Sequence, residues 1–197
     1  MQLSQEEITQ KYNTKLLKSV GIYQMIVSLF NRKLFKAIDY AYPGQYKPWH
    51  FRKMRNVWVG EKGRKNSIEA IKEMIKTLAI DLEDLPKVIS IQTFADYGLL
   101  GMLSRIYGSS PYKAINAAYP GRFHPWEFKL ANYWSQQNIA TARKATKWLV
   151  EEKLKLNKKE LFSKIQLKDF IENGLLMMLK VFYQGSYYNA LKDCYDL

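Results

Sequence analysis

Hydrophobic residues recur along this chain at helical intervals, and no segment alternates apolar and polar residues over the length of a strand. From Ile91 to Tyr107 the apolar positions predict one helix, which the break at Gly108 ends. Ser110 is a suitable N-cap for a second, short helix that begins at Pro111, where the missing N–H costs nothing. The pattern predicts an all-α fold without a sheet.

Two further helices follow in the same part of the chain. One is predicted from about Gln137 to Lys155, and a short one from Lys158 to Ile165. Earlier in the chain, a helix is predicted to begin at Asn66, with Glu69 completing a capping box. Residues 60–65 precede this start and contain two glycines, so we expect them to form a flexible basic loop.

The chain repeats itself. The segment Ala37–Phe51 returns in similar form 77 residues later as Ala114–Phe128, and an incomplete third copy follows at a spacing of 76. Self-similarity at a fixed period is typical of repeat proteins. We therefore predict tandem helical repeats of about 76 residues in one continuous array: residues 1–90 with an N-terminal cap helix, 91–166, and a truncated unit at 167–197.

Large aromatic side chains occupy matching places in the first two copies. Rings repeated in this way more often fix a loop onto its helices than bind bases, so we assign them to the core and keep base stacking as the alternative. The matching residues are Trp49 and Trp126, Phe51 and Phe128, and Trp58 and Trp134.

The charge adds a functional direction. Thirty-one Lys and Arg stand against 18 Asp and Glu, a formal net charge of +13, which favours attraction to polyanions. Nucleic acid is the first candidate; an anionic membrane surface and a merely Lys-rich composition are the alternatives. The single cysteine, the polar N-terminus and the lack of an apolar run of about 18 residues favour the cytoplasm and no membrane.

The two helices around Gly108 have the form of a helix-turn-helix element, whose second helix can enter the major groove of DNA. We predict contacts to base edges from Lys36, Lys113 and Asn116. Between Lys47 and Lys65 the basic residues outnumber the acidic ones by seven to one, which predicts phosphate contacts. The full predicted set of backbone contacts is Arg52, Lys53, Arg55, Arg64, Lys65, Lys113, Arg122, Lys129 and Arg143.

Signals for catalysis are absent from the sequence. The two histidines, His50 and His124, do not occupy matching positions, and with one distant cysteine they give no zinc spacing. There is no phosphate-binding glycine loop and no nucleophile elbow. We predict a protein that is not an enzyme and uses no cofactor and no metal.

Two short patterns resemble known families. Gly185–Leu191 is similar to the Gly-Ser-Trp-x-x-Ala-Leu signature of the helical repeats that accompany homing endonucleases, with Tyr187 in place of Trp. Ala114–Trp134 resembles a repeat domain of unknown function from Bacillus-type bacteria and their phages. The first resemblance implies helical DNA binding outside a nuclease centre, and no His-Asn-His core is present to imply cleavage.

These observations favour a non-catalytic nucleic-acid-binding protein, with duplex DNA preferred over RNA. Two alternatives stay open: a helical-repeat scaffold for a protein partner, and the targeting part of a mobile-element nuclease. The sequence leaves the cognate site and the oligomeric state open.

Overall fold

Helices are the regular elements of this chain. The computed structural model describes Thr9 and residues 13–51, 56–128, 130 and 132–195, and no strand occurs among them, which confirms the all-α prediction. The chain divides into two compact units. Unit 1 comprises residues 1–79 and 90–114, and unit 2 comprises residues 80–89 and 115–197. This division does not test the predicted boundaries of the repeats.

Among the described residues the helices are short, with one exception in unit 1. The first part of the chain contains α1 (Thr14–Ser19), α2 (Tyr23–Phe30), α3 (Leu34–Ala41), α4 (Gly60–Thr77), α5 (Leu85–Val88), α6 (Ile91–Asp96) and α7 (Leu100–Tyr107). Helix α8 (Pro111–Ala118) follows, and its residues are shared between the two units. The rest of unit 2 contains α9 (Ile139–Lys147), α10 (Leu161–Lys164), α11 (Leu167–Glu172), α12 (Leu176–Tyr183) and α13 (Tyr187–Tyr195).

A glycine in the left-handed conformation separates a helix of six residues from the next helix at three places in the described chain. The prediction of a single helix from Ile91 to Tyr107 is therefore wrong, since α6 ends before Gly98 and α7 begins after it. The N–H of Leu99 returns to the carbonyl of Phe94 at 2.7 Å, which closes the end of α6. The same arrangement recurs between α1 and α2 and between α11 and α12, and the φ angles are +77° at Gly21, +79° at Gly98 and +76° at Gly174.

Each of these three glycines lies between the first and second helices of a group of three helices. Helices α1–α3, α6–α8 and α11–α13 each consist of a helix of six residues followed by two of eight or nine. The succession returns at the spacing that the sequence similarity indicates. The stacking of such copies into one array stays a prediction.

Helix α4 begins six residues earlier than predicted. It starts at Gly60, so residues 60–65 form its first turns and the expected flexible loop is wrong. Asn66 is not the N-cap; its side-chain amide donates to the carbonyl of Val57 at 3.0 Å. The early start depends on Gly63, which is buried, because a Cβ there would lie 2.9 Å from the Cα of Trp58. The sequence pattern alone does not show this close approach.

The long helix predicted from Gln137 to Lys155 is shorter and changes its winding. Helix α9 begins after Asn138, whose side chain accepts the N–H of Thr141 at 3.0 Å, and the chain continues as a π-helix over Trp148–Lys153. The wider turn brings Trp148 and the next two residues into the core together. The helix predicted from Lys158 to Ile165 is reduced to α10, because residues 158–160 form a turn.

The prediction for the repeated rings is mostly confirmed. Phe51, Phe128, Trp126 and Trp134 are buried. Their partners Trp49 and Trp58 are half-buried.

Candidate functional site

The predicted nucleic-acid contacts fall into three groups. Arg52, Lys53, Arg55 and Lys129 lie outside the described residues. Four others belong to unit 1, and three belong to unit 2. The two described groups have different surroundings.

The unit 1 residues are on helices and are exposed. Lys36 lies on α3, Arg64 and Lys65 lie on α4, and Lys113 lies on α8. Lys65 pairs with Glu61 one turn earlier, at 3.5 Å. In the described part of the chain, the other three have no acidic partner within ion-pair distance. Lys36 and Lys113 are 77 residues apart and hold matching places on α3 and α8.

The two predicted arginines of unit 2 are bound to acids. Arg122 donates to Glu83 at 2.8 Å. Arg143 donates to both carboxylate oxygens of Asp193, at 2.8 and 2.7 Å, and this fork holds the pKa of Asp193 below its usual value. Tyr183 also donates to Asp193, at 2.9 Å. These guanidinium groups are therefore already engaged within unit 2.

Asn116, a predicted base-edge contact, has a structural role at the end of α8. Its side-chain oxygen accepts the N–H of Gly121 at 3.3 Å. Asp39 accepts the N–H of Gly44 at the same distance, at the matching place after α3. A carboxylate performs the same capping role as an amide here, so this role needs only a side-chain oxygen. The NH₂ group of Asn116 is not required for it.

The units also differ in charge. Unit 1 contains 17 Lys and Arg against 7 Asp and Glu, whereas unit 2 contains 14 against 11. Every Lys and Arg that the structure describes in unit 1 is exposed. Unit 1 is therefore the more strongly cationic part of the chain.

In unit 1, the carboxylate of Glu73 forms hydrogen bonds with the side chains of both Trp49 and His50. The indole N–H of Trp49 donates to Glu73 at 2.7 Å, and Nε2 of His50 lies 2.7 Å from the other carboxylate oxygen. The backbone N–H of Lys47 donates to Nδ1 of His50 at 3.3 Å, so in the neutral imidazole the proton is on Nε2 and is donated to Glu73. Trp58 stacks against Trp49 with centroids 6.2 Å apart.

Unit 2 places a tryptophan where unit 1 has this carboxylate. The buried positions of α4 return in α9 and its π-helical continuation at a spacing of 75, and at that spacing Glu73 corresponds to Trp148. Trp126, the counterpart of Trp49, packs edge-on against Trp148 with centroids 6.1 Å apart. Its indole N–H is buried and has no acceptor in the described structure. The matching buried positions are Ser67, Ala70, Ile71, Met74 and Ile75 in α4, and Ala142, Ala145, Thr146, Leu149 and Val150 in unit 2.

A cavity of about 550 Å³ opens beside these rings, and all its lining residues belong to unit 2. Glu127 lines it, half-buried, and accepts the backbone N–H of His124 at 2.7 Å. Burial raises the pKa of Glu127, while this N–H and the charge of Lys153 act in the opposite direction. Sequence reasoning missed this pocket because its rings were assigned to the core; the available signal was a third tryptophan, Trp148, at a position without an aromatic counterpart in unit 1.

Comparisons with family models, curated proteins and solved structures found no match to this chain. Both resemblances described above therefore stay predictions. No helix within the described ranges is long and apolar enough to cross a membrane. Among the same residues, no three His, Cys, Asp or Glu side chains are grouped as metal ligands would be.

Proposed function

We propose that this chain is a non-catalytic nucleic-acid-binding protein that prefers duplex DNA over RNA, and that unit 1 provides its contact surface. The supporting observation is the excess of exposed cations in unit 1. Lys36, Arg64 and Lys113 carry this proposal, because they are exposed and the described acids do not neutralise them. Cations that are not paired within the protein can release counterions from a phosphate backbone.

Arg122 and Arg143 have a smaller part in this proposal. Each already binds a carboxylate, and a phosphate would have to displace Glu83 or Asp193. We therefore expect the salt dependence of binding to be determined by unit 1.

The test is a titration of a labelled duplex of about 30 base pairs at two salt concentrations. The triple variant Lys36→Glu, Arg64→Glu, Lys113→Glu is compared with Lys144→Glu, Lys168→Glu, Lys180→Glu, which changes the net charge equally through exposed lysines of unit 2. We expect the unit 1 triple to weaken binding at least about tenfold and to reduce the salt slope by up to about 3, one for each lost phosphate contact. The unit 2 triple should have a much smaller effect.

Failure of the wild-type protein to bind DNA at low salt would refute the proposal. If both triple variants weaken DNA binding equally, binding depends on the net charge of the chain and not on a contact surface in unit 1. Competition with duplex RNA and with single-stranded DNA of the same sequence tests the stated preference for duplex DNA.

Asn116 gives a separate test of base contact. Asn116→Asp keeps an oxygen for the N–H of Gly121, as Asp39 does for Gly44, but it removes the NH₂ donor. If Asn116 contacts a base edge, this change weakens specific binding by about 1–3 kcal/mol and leaves the melting temperature nearly unchanged. Equal weakening for duplexes of different sequence would show only repulsion by the added negative charge, and an unchanged affinity would restrict Asn116 to capping.

A protein-interaction scaffold is the second candidate function. It is favoured by apolar side chains that α2 and α3 expose, among them Leu29 at 69% and Tyr40 at 79% of their surface. Replacing Leu29 and Met25 with Ser would then abolish partner binding, and the unit 1 charge reversal would leave that binding mostly intact.

A further inference from the structure

The cavity in unit 2 has the size and lining of a small-molecule site. Its volume of about 550 Å³ lies within the range of roughly 300–1,000 Å³ for ligand pockets. Aromatic side chains form much of its wall, and a small number of charged and amide groups complete it. The aromatic residues are Trp126, Phe128, Tyr133, Trp134 and Trp148.

Two pairs of these rings meet at steep angles, whereas Trp126 and Trp134 are stacked at 27° with centroids 6.4 Å apart. Trp148 is inclined at 68° to Trp126, and Tyr133 is inclined at 78° to Trp134, with centroids 6.1 and 5.0 Å apart. Rings set nearly perpendicular to one another form corners that surround a compact group from several directions. His124 stacks on one face of Trp126 with centroids 4.4 Å apart and an angle of 5°, so that face is already covered. The faces of tryptophan and tyrosine rings attract cations within about 6 Å.

The charged groups at this cavity also favour a cation. Glu83 is bound to Arg122 at 2.8 Å, and Lys87 lies 3.6 Å from Asp84, so these two lining residues are partly neutralised by neighbours. The exposed Glu172 and Lys153 also line the cavity. Glu127 differs from all of these because it is half-buried beside the rings. A cation in the cavity would have this carboxylate as a partly desolvated counter-charge and would share it with Lys153, whose charge also acts on Glu127.

Trp126 of unit 2 lacks the hydrogen bond to a carboxylate that its counterpart Trp49 makes in unit 1. Trp49 gives its N–H to Glu73, whereas Trp126 has only 7% of its surface exposed and finds no acceptor in the described structure. A buried donor without an acceptor lowers stability, so a core selected only for stability would not keep it. Trp148, at the position that corresponds to Glu73, instead adds a further ring to the lining of the cavity.

We propose that this pocket binds a small organic cation of the methylated-ammonium class, with Trp134, Trp148 and Tyr133 around the cation and Glu127 as its counter-ion. This activity is separate from the proposed nucleic-acid binding and does not depend on it. The methyl groups contact the rings, and the positive charge is shared between the ring faces and the carboxylate.

The probe is choline chloride, titrated into the full chain and followed by tryptophan fluorescence and calorimetry. Its matched control is dimethylbutanol, the uncharged carbon isostere, which has the same shape and lacks the charge. We expect choline to bind at least about tenfold more tightly than the isostere, because both ligands make the same apolar contacts but only choline gains the cation–π and carboxylate attraction.

Two pairs of variants locate the site. Glu127→Gln should weaken choline binding about tenfold, whereas Glu152→Gln, an exposed acid that does not line this cavity, should leave it unchanged. Tyr133→Leu removes a half-buried ring and should weaken binding, whereas Tyr133→Phe keeps the ring face and should preserve it. Circular dichroism of each variant confirms that it is folded, so the carboxylate and the ring are tested independently.

Three results would overturn the proposal. Equal affinity for choline and its isostere would show an apolar pocket without charge recognition. Binding of neither would show that the rings form only a core. Binding of adenosine in place of choline would assign the pocket to a nucleobase.

Discussion

Helix α4 of unit 1 and helix α9 of unit 2, with its π-helical continuation, carry different side chains at one corresponding position. In unit 1, Glu73 accepts a hydrogen bond from Trp49 and one from His50, and it holds the aromatic loop against α4. In unit 2, Trp148 occupies the corresponding position, and a cavity lies beside the rings. The exposed charges differ as well, since unit 1 carries the larger cationic excess. The two units therefore differ at this position in hydrogen bonding and ring packing, and they differ in charge.

The largest expected effect concerns the start of α4, which has no equivalent at the later start of α9. Gly63→Ala would place a Cβ against the backbone of Trp58, which cannot move aside as a flexible side chain can. We expect a loss of about 2–3 kcal/mol in the free energy of unfolding, measured by urea denaturation. Gly101→Ala is the control, because that helical position has open space and should gain about 0.5–1 kcal/mol. Changes of the same sign would contradict the close approach at Gly63.

The second effect tests the carboxylate that distinguishes unit 1. Glu73→Ala leaves the indole N–H of Trp49 and the imidazole of His50 without their acceptor. We expect unfolding to become easier by about 1–2 kcal/mol. Glu69→Ala, an exposed change on the same helix, should stay within about 0.5 kcal/mol. If both changes have the same small effect, Glu73 does not hold the aromatic loop against α4. The proposed difference between Glu73 in unit 1 and Trp148 in unit 2 would then have no effect on stability.

The smallest effect concerns the pH dependence contributed by Glu127. Burial raises its pKa in the folded state, so the folded chain holds this proton more tightly than the unfolded chain does. The ionised carboxylate therefore lowers stability at neutral pH, and this penalty disappears as the pH falls through the raised pKa toward the usual value for glutamate. The charged groups that act on Glu127 are His124, Lys153 and Glu83.

Comparison with Glu127→Gln isolates this contribution, because other titrating groups cancel in the difference between the two proteins. On acidification from pH ~7 to ~4, the free energy of unfolding of the wild type should rise relative to that of the variant by less than about 1 kcal/mol, which raises the relative melting temperature by less than roughly 2–4 °C. A constant difference across this range would show that Glu127 titrates normally.

Several parts of the fold could be predicted because their signals are local. The short helix that begins at Pro111, its cap at Ser110 and the burial of Phe51, Phe128, Trp126 and Trp134 follow from residue type and spacing over a few positions. The break at Gly98 was predictable in principle, since Gly21 and Gly174 stand at matching places. It was missed because the apolar pattern continues across the break.

Other parts could not be predicted because they depend on residues far apart in sequence. Arg122 meets Glu83 across 39 positions, and Arg143 meets Asp193 across 50. A list of basic residues cannot show which of them such distant acids neutralise. Trp126 and Trp148 likewise belong to different elements, and their edge-on contact is visible only after folding.

The sequence by itself determined an all-α chain with recurring helices and a strong positive charge, because helical periodicity, capping and ionisation are properties of near neighbours. The tertiary structure decided where α4 begins, which arginines are paired and where the rings enclose a cavity. These outcomes depend on the packing of segments that are distant in sequence. The backbone of Trp58 lies against Gly63 and allows α4 to begin early. Trp148, at the position that corresponds to Glu73, lines the cavity of unit 2.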